Sequence, residues 1–185
     1  MNVEQIIDEF YMENLPLRKI LLTHSKAVAE KAIAIAPTGV DKQFVYDAAM
    51  LHDIGIVKCD APGIECFGTE PYIKHGLCGA AMLRENASKW GMSGEEIEPY
   101  ARVCERHTGA GLTAKEIENQ KLPLPKADFL PETIEEKLIC YADKFFSKTR
   151  PTEEKSIDRV EASMRKFGKD TISRFNELRK LFQGE

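Results

Sequence analysis

Apolar positions recur along this chain at spacings of three and four, and no stretch alternates strictly with a period of two. The pattern predicts helices almost throughout. A short first helix covers about Val3 to Met12. Pro16 opens a longer one to about Ala36, where Pro37-Thr38-Gly39 stops it. A third runs from Asp41 to Ile54, with Gly55 suited to cap its C-terminus. Residues 56–70, with Pro62, Gly63 and Gly68, read as a loop. Pro71 starts a helix that ends near Trp90-Gly91. Ser93 heads another to about His107, with Glu96 as its capping-box partner. Thr108 to Leu130 is irregular, Thr133 to Lys148 is helical, and two amphipathic helices divided near Gly168 complete the chain. No repeat, low-complexity tract or long linker divides it. The expectation is an all-α fold, a single domain over residues 1–185.

The stripes carry unusual residues. Leu17, Leu21, His24 and Val28 share one helical face, as do Val45, Ala48 and His52, with Ala49 and Asp53 on the neighbouring face. His75 aligns with Cys78 and Met82, His107 with Ile97, Tyr100 and Cys104, and Asp143 with Ile139 and Phe146. The chain has only four histidines, and every one lies on or beside an apolar stripe. Singly, a histidine on an apolar face is more often a satisfied core residue than a ligand. Asp143 alone also reads as a buried carboxylate paired with Lys144 or Arg102. Four imidazoles and two carboxylates aimed at a core need a common partner, because unpaired buried polar groups are costly. A metal, or a pair of metals, supplies one.

Composition narrows the classes. A net charge of −4 over 185 residues leaves no basic footprint for nucleic acid or anionic membrane. No apolar run approaches a membrane span. The start of the chain, Met1 to Glu9, is acidic and lacks the order of a signal peptide. The five cysteines are irregularly spaced and read as reduced thiols, which points to the cytoplasm. Cys59 and Cys66 are too far apart for a zinc knuckle and have no second pair.

His52-Asp53-Ile54-Gly55, with His24 upstream and Asp143 on a later helix, resembles the HD-domain metal-dependent phosphohydrolases of the HDIG subgroup. His75-Gly76-Leu77-Cys78-Gly79-Ala80 and Arg106-His107-Thr108-Gly109 match the places where two-metal members add two histidines. The resemblance covers about residues 17–148 and leaves residues 149–185 as a C-terminal helical extension packed on the core. It implies a helical bundle with a binuclear site between its central helices. His24, His52, Asp53 and Asp143 would hold one metal, and His75 and His107 the second. Asp53 would bridge and be catalytic. Iron or manganese suits this donor set first, then zinc, cobalt or nickel. The chain departs from the cyclic-di-GMP-degrading branch. Gly109-Ala110-Gly111-Leu112-Thr113 stands in place of its Gly-Tyr-Pro signature, and Ile56 in place of its lysine, with Lys58 two residues on.

The reading is a metal-dependent hydrolase of a small phosphate ester, a nucleotide among the candidates. Its alternatives are a mixed-valent di-iron oxygenase and a metal-binding sensor or interaction module without turnover. Lys58, Lys74, Arg106 and Lys144 are candidate phosphate contacts, each with exposed surface charge as its other reading. Residues 56–70 and the stretch after Thr108 are expected to shape the pocket. The final helices are expected to pack on the core, with a homodimer contact as the second reading. The expected partner is a small phosphorylated substrate, with neither nucleic acid nor membrane.

Overall fold

The computed structural model describes residues 2–183; Met1, Gly184 and Glu185, which the sequence reading spans, lie outside them. Helix α1 (Val3–Tyr11) starts at Asn2, whose side chain accepts from the Gln5 amide. Helix α2 (Leu15–Ala34) is capped by Asn14, with Pro16 in its first turn. Helix α3 (Lys42–Leu51) begins at Asp41, whose carboxylate accepts from the amides of Gln43 and Phe44. These caps occupy amide donors that lack intrahelical partners, which accounts for the abrupt starts. Helices α4 (His75–Asn86) and α5 (Gly94–Arg106) follow, the second with the expected Ser93–Glu96 capping box. Further boxes, Thr113–Glu116 and Thr133–Glu136, head α6 (Ala114–Asn119) and α7 (Ile134–Asp143). Helices α8 (Ile157–Arg165) and α9 (Lys169–Gln183) are separated at Gly168, whose φ of 116° suits a residue without Cβ.

The mainly helical fold is as expected. The local departures have physical causes. Residues 56–70 carry a small sheet as well as turns. Strand β1 (Cys59–Ala61) pairs antiparallel with β2 (Cys66–Phe67) and parallel with β3 (Glu70–Pro71). Strands of two or three residues are too short to show a period in sequence. Helix α3 stops at Leu51, and Ile54–Lys58 form a 3-10 turn. Gly55 therefore caps no helix. It lies within that turn, where an added Cβ would overlap the His75 carbonyl and the Gly79 amide of α4, so its role is close packing. Helix α7 ends at Asp143, five residues short of the expected end. Helix α6 interrupts the stretch that reads as irregular. Glu136, in the charge-rich first turn of α7, is buried and accepts from Arg102 Nε at 2.7 Å.

Three groups of buried side chains hold these elements together. One joins α1, the start of α2, the end of α3, α4 and α5; a second joins α2, α3, α5 and α7. A third packs Tyr141 and Phe145 against Val160, Met164, Phe175 and Leu178 of α8 and α9. Among the described residues, no helix is long and apolar enough to cross a membrane.

Tyr11 shows how the first group positions the centre of the molecule. Its ring is fully buried, its hydroxyl donates to the Ile54 carbonyl at 2.7 Å, and the Val57 amide donates back at 3.3 Å. It thus braces the segment that follows His52-Asp53. Tyr11→Phe keeps the ring but leaves that carbonyl without its donor. The expected result is a loss of roughly 1–3 kcal/mol of stability, read as a lower urea midpoint at unchanged slope.

Candidate metal centre

His24 projects from the middle of α2, on the stripe with Leu17, Leu21 and Val28, all buried. His52 and Asp53 stand just past the end of α3, His75 opens α4, His107 caps the C-terminus of α5, and Asp143 is the last residue of α7. All six side chains are buried, and they converge. Three of the elements present their C-terminal ends to the same point. There the helix dipoles favour positive charge.

The carboxylate of Asp53 lies at the middle. Its Oδ2 is 3.1 Å from His24 Nε2 and 3.0 Å from His52 Nε2. Its Oδ1 is 3.4 Å from both His75 Nε2 and His107 Nε2. Asp143 Oδ1 closes the first set, 3.0 Å from His24 Nε2 and 3.5 Å from His52 Nε2. The result is two groups that could each hold a cation: His24, His52, Asp53 and Asp143, and Asp53, His75 and His107. Asp53 belongs to both and offers one oxygen to each.

The hydrogen bonds around the histidines test the fit. His52 Nδ1 lies 2.6 Å from the Ala49 carbonyl, His75 Nδ1 2.7 Å from that of Tyr72, and His107 Nδ1 2.8 Å from that of Cys104. A carbonyl can only accept, so each Nδ1 carries the proton, and a neutral ring then has its lone pair on Nε2. Tyr72 also stacks on the His75 ring, with centroids 4.9 Å apart. The Nε2 atoms of His75 and His107 face each other at 3.0 Å. Two lone pairs at that distance repel unless a proton or a cation lies with them. Among the described residues, His24 Nε2, His52 Nε2 and both Asp53 oxygens are buried without a well-aligned hydrogen bond. Buried donor atoms that converge, with the far sides of the His52, His75 and His107 rings fixed by backbone carbonyls, are the arrangement a metal ion satisfies.

Electrostatics separates the two halves. Burial, with His107 alongside, pushes the His75 pKa down to about 3, and burial lowers that of His107 as well. Both rings are therefore neutral at pH 7. Burial also opposes charge on His52, but Asp53 and Asp143 outweigh it and raise its pKa to about 9. Asp53 and Asp143 resist burial and stay well below the usual carboxylate range. His52 and Lys148 hold down the first; Lys144, His24 and His52 hold down the second.

The four basic residues with a candidate phosphate role are dispersed. Lys58 is exposed. Lys74 pairs with Glu70 at 2.8 Å, and Arg106 bonds the Leu130 carbonyl and Glu132, each at 2.7 Å. Lys144 is at the centre, 2.6 Å from Asp143 Oδ2 and 2.9 Å from the His107 carbonyl. Sequence reasoning missed Lys148, whose Nζ lies 2.6 Å from Asp53 Oδ2. On a continued α7 it would sit roughly 140° around the helix from Asp143, facing away. The helix instead ends, and a turn closed by the Arg150 amide on the Ser147 carbonyl carries Lys148 back inward.

A cavity of about 410 Å³ opens beside the centre. His75, Asp143, Lys144 and Lys148 line its inner side, and Leu112, Leu122, Met164 and Phe167 its apolar wall. The stretch after Thr108 thus shapes the cavity as expected. Residues 56–70 do not line it; Ala61, Gly63 and Ile64 border a separate cavity of about 420 Å³ that shares Tyr72 and Lys148.

Residues 21–147 match the HD domain family. The chain belongs to the HD-domain family. The general chemistry of its metal-dependent phosphohydrolases is consistent with the two clusters described above. Among curated proteins, the chain is 37% identical over 134 residues to an uncharacterised protein of Methanocaldococcus jannaschii, covering 71% of this chain and 67% of that one. It is 34% identical over 132 residues to a tRNA (cytidine(56)-2'-O)-methyltransferase of Picrophilus torridus, covering 71% of this chain. It is 32% identical over 163 residues to the enzyme of that name from Thermoplasma volcanium, covering 87% of this chain. The matches span only 33% and 41% of those two methyltransferases. No solved structure matches the chain.

Proposed function

We propose that this HD-domain protein hydrolyses a small phosphate ester at a binuclear metal centre, with His24, His52, Asp53 and Asp143 holding one divalent ion and Asp53, His75 and His107 the other. The observation that carries the reading is Asp53, buried between the clusters with one oxygen turned to each. Four imidazoles and two carboxylates suit iron or manganese, then zinc, cobalt or nickel. Two such ions, held by these residues, would supply hydroxide at neutral pH and neutralise phosphoryl oxygens.

The chain's own residues do the rest. Three backbone carbonyls fix the ring tautomers and orientations. Lys144 anchors the free oxygen of Asp143 so that its other oxygen stays turned to His24. The neighbouring cavity takes the organic part of the ester against Met164 and Phe167. On this reading residues 17–148 are the HD core, and the helices beyond complete the substrate wall. The net charge of −4 argues for a small substrate over a polynucleotide. The methyltransferase names belong to relatives of which this chain matches well under half, and no methyl transfer is assigned to it.

The test is a panel of nucleotides, sugar phosphates and a chromogenic phosphate ester, each with manganese, iron, cobalt, nickel and magnesium. Turnover with a transition metal supports hydrolysis. Inactivity across the panel together with oxygen uptake by a di-iron form would replace this reading with the oxygenase. His107→Ala is expected to lower the bound metal from about two ions to one, because it removes a ligand from one cluster alone; elemental analysis after metal loading checks it.

A further inference from the structure

Lys148 is the group at the centre that the proposed ligand set leaves unexplained. It lies one residue beyond the stretch that matches the family. Its ammonium is 2.6 Å from Asp53 Oδ2, the oxygen that His24 and His52 also face. A divalent ion held by His24, His52 and Asp143 would draw on that same oxygen, and its charge would repel an ammonium beside it. The two cations therefore compete for Asp53. Lys148 has room to yield. Its side chain borders the cavity of about 410 Å³ at the centre and the separate one of about 420 Å³, and its Nζ stands 5.8 Å from the centroid of the Tyr72 ring. The turn over Ser147–Arg150 holds its backbone, so its four-carbon stem swings about a fixed origin.

The other lysines of the cavity lack that freedom. Lys144 Nζ is held by the His107 carbonyl and Asp143, and Lys155 Nζ by the carbonyls of Lys144 and Phe146, each at 3.0 Å.

We propose that Lys148 alternates between two anions, giving up Asp53 when the first cluster takes its metal and then holding the phosphoryl group of the substrate at the inner side of the cavity. The inference rests on the phosphohydrolase reading for the identity of the second anion. It makes metal and phosphate binding opposite in their response to one substitution. Removing the ammonium removes a competitor of the metal and a partner of the phosphate. A residue that merely supported the fold would weaken both when lost.

The experiment uses the full chain as wild type, Lys148→Met and Lys148→Arg. Manganese affinity is measured by calorimetry on chelator-treated protein, and inorganic phosphate affinity on the manganese-loaded form. Lys148→Met is expected to bind manganese at the tighter site roughly tenfold more strongly, and phosphate roughly ten- to a hundredfold more weakly, the size of one charge-assisted contact. Lys148→Arg keeps the charge and should recover much of the phosphate affinity. Weaker manganese binding by Lys148→Met, or phosphate affinity equal to wild type in the loaded variant, overturns the proposal. Both measurements read binding alone. A failure of wild-type turnover on every ester therefore removes the hydrolase reading and leaves the question of Lys148 separately decided.

Discussion

Asp53→Ala is expected to empty both clusters and to reduce hydrolysis by roughly a thousandfold or more, since a metal contributes several kcal/mol of transition-state stabilisation and each 1.36 kcal/mol is tenfold in rate. The effect should exceed that of any single histidine, because among the described residues Asp53 alone belongs to both groups. The same change strands Lys148, whose ammonium is 2.6 Å from that carboxylate and whose side chain is 13% exposed. Breaking a buried pair from one side costs roughly 3–5 kcal/mol, less whatever Lys148 recovers by turning into a cavity. The variant should therefore be measured by elemental analysis, by turnover, and by urea unfolding of the metal-free form. Retention of two ions, or of appreciable turnover with fewer, would refute the bridging role of Asp53. Asp53→Asn separates charge from shape: it keeps the volume and one acceptor oxygen, and should still fail to hold two divalent ions.

Gly55→Ala is the second large effect. A Cβ at this position would overlap the His75 carbonyl and the Gly79 amide, both backbone atoms of α4. Backbone cannot rotate away as a side chain can, so α4 must shift or the turn over Ile54–Lys58 must unwind. Overpacking costs typically 1–3 kcal/mol and occasionally more, and a clash with two backbone groups belongs at the upper end, about 3 kcal/mol. The displacement falls on His75, whose Nε2 is 3.4 Å from Asp53 Oδ1 and 3.0 Å from His107 Nε2. The second cluster should therefore lose metal before the first. Gly94→Ala is the control: it is exposed at the start of α5, and an added Cβ there meets nothing within 4 Å. Unfolding midpoints of the two variants, with metal content after loading, test the contrast. Equal stability of Gly55→Ala and wild type would show that the contact between the turn and α4 is slack.

Much of the centre was legible from periodicity. Within a helix the direction of one side chain fixes that of residues three and four away. A histidine in register with Leu17, Leu21 and Val28 must then face the core that they face. The same rule placed His107 with Ile97 and Cys104, and Asp143 with Ile139, and all six residues of the clusters are buried as that placement requires. Capping chemistry was legible for a similar reason: Ser93 and Glu96 bond reciprocally across one turn, and no distant residue is needed. The break at Gly168 is likewise local, since a φ of 116° is a property of one residue.

The rest depended on contacts between distant parts of the chain. Lys148 and Lys144 are both lysines beyond Asp143, and nothing in their order says which one reaches Asp53. The end of α7 and the turn at Ser147–Arg150 decide it. Arg106 adjoins His107 yet is drawn away by Glu132 and the Leu130 carbonyl, groups more than twenty residues on. Gly55 reads as a cap because helices commonly end on glycine, whereas α4 passing against its turn is what requires the missing Cβ. The sequence by itself determined which side chains point inward, because helical geometry is local and repeats. Only the tertiary structure decided which inward groups meet, which cation faces Asp53 and where a cavity opens beside them, because those depend on where separate elements end and how they pack.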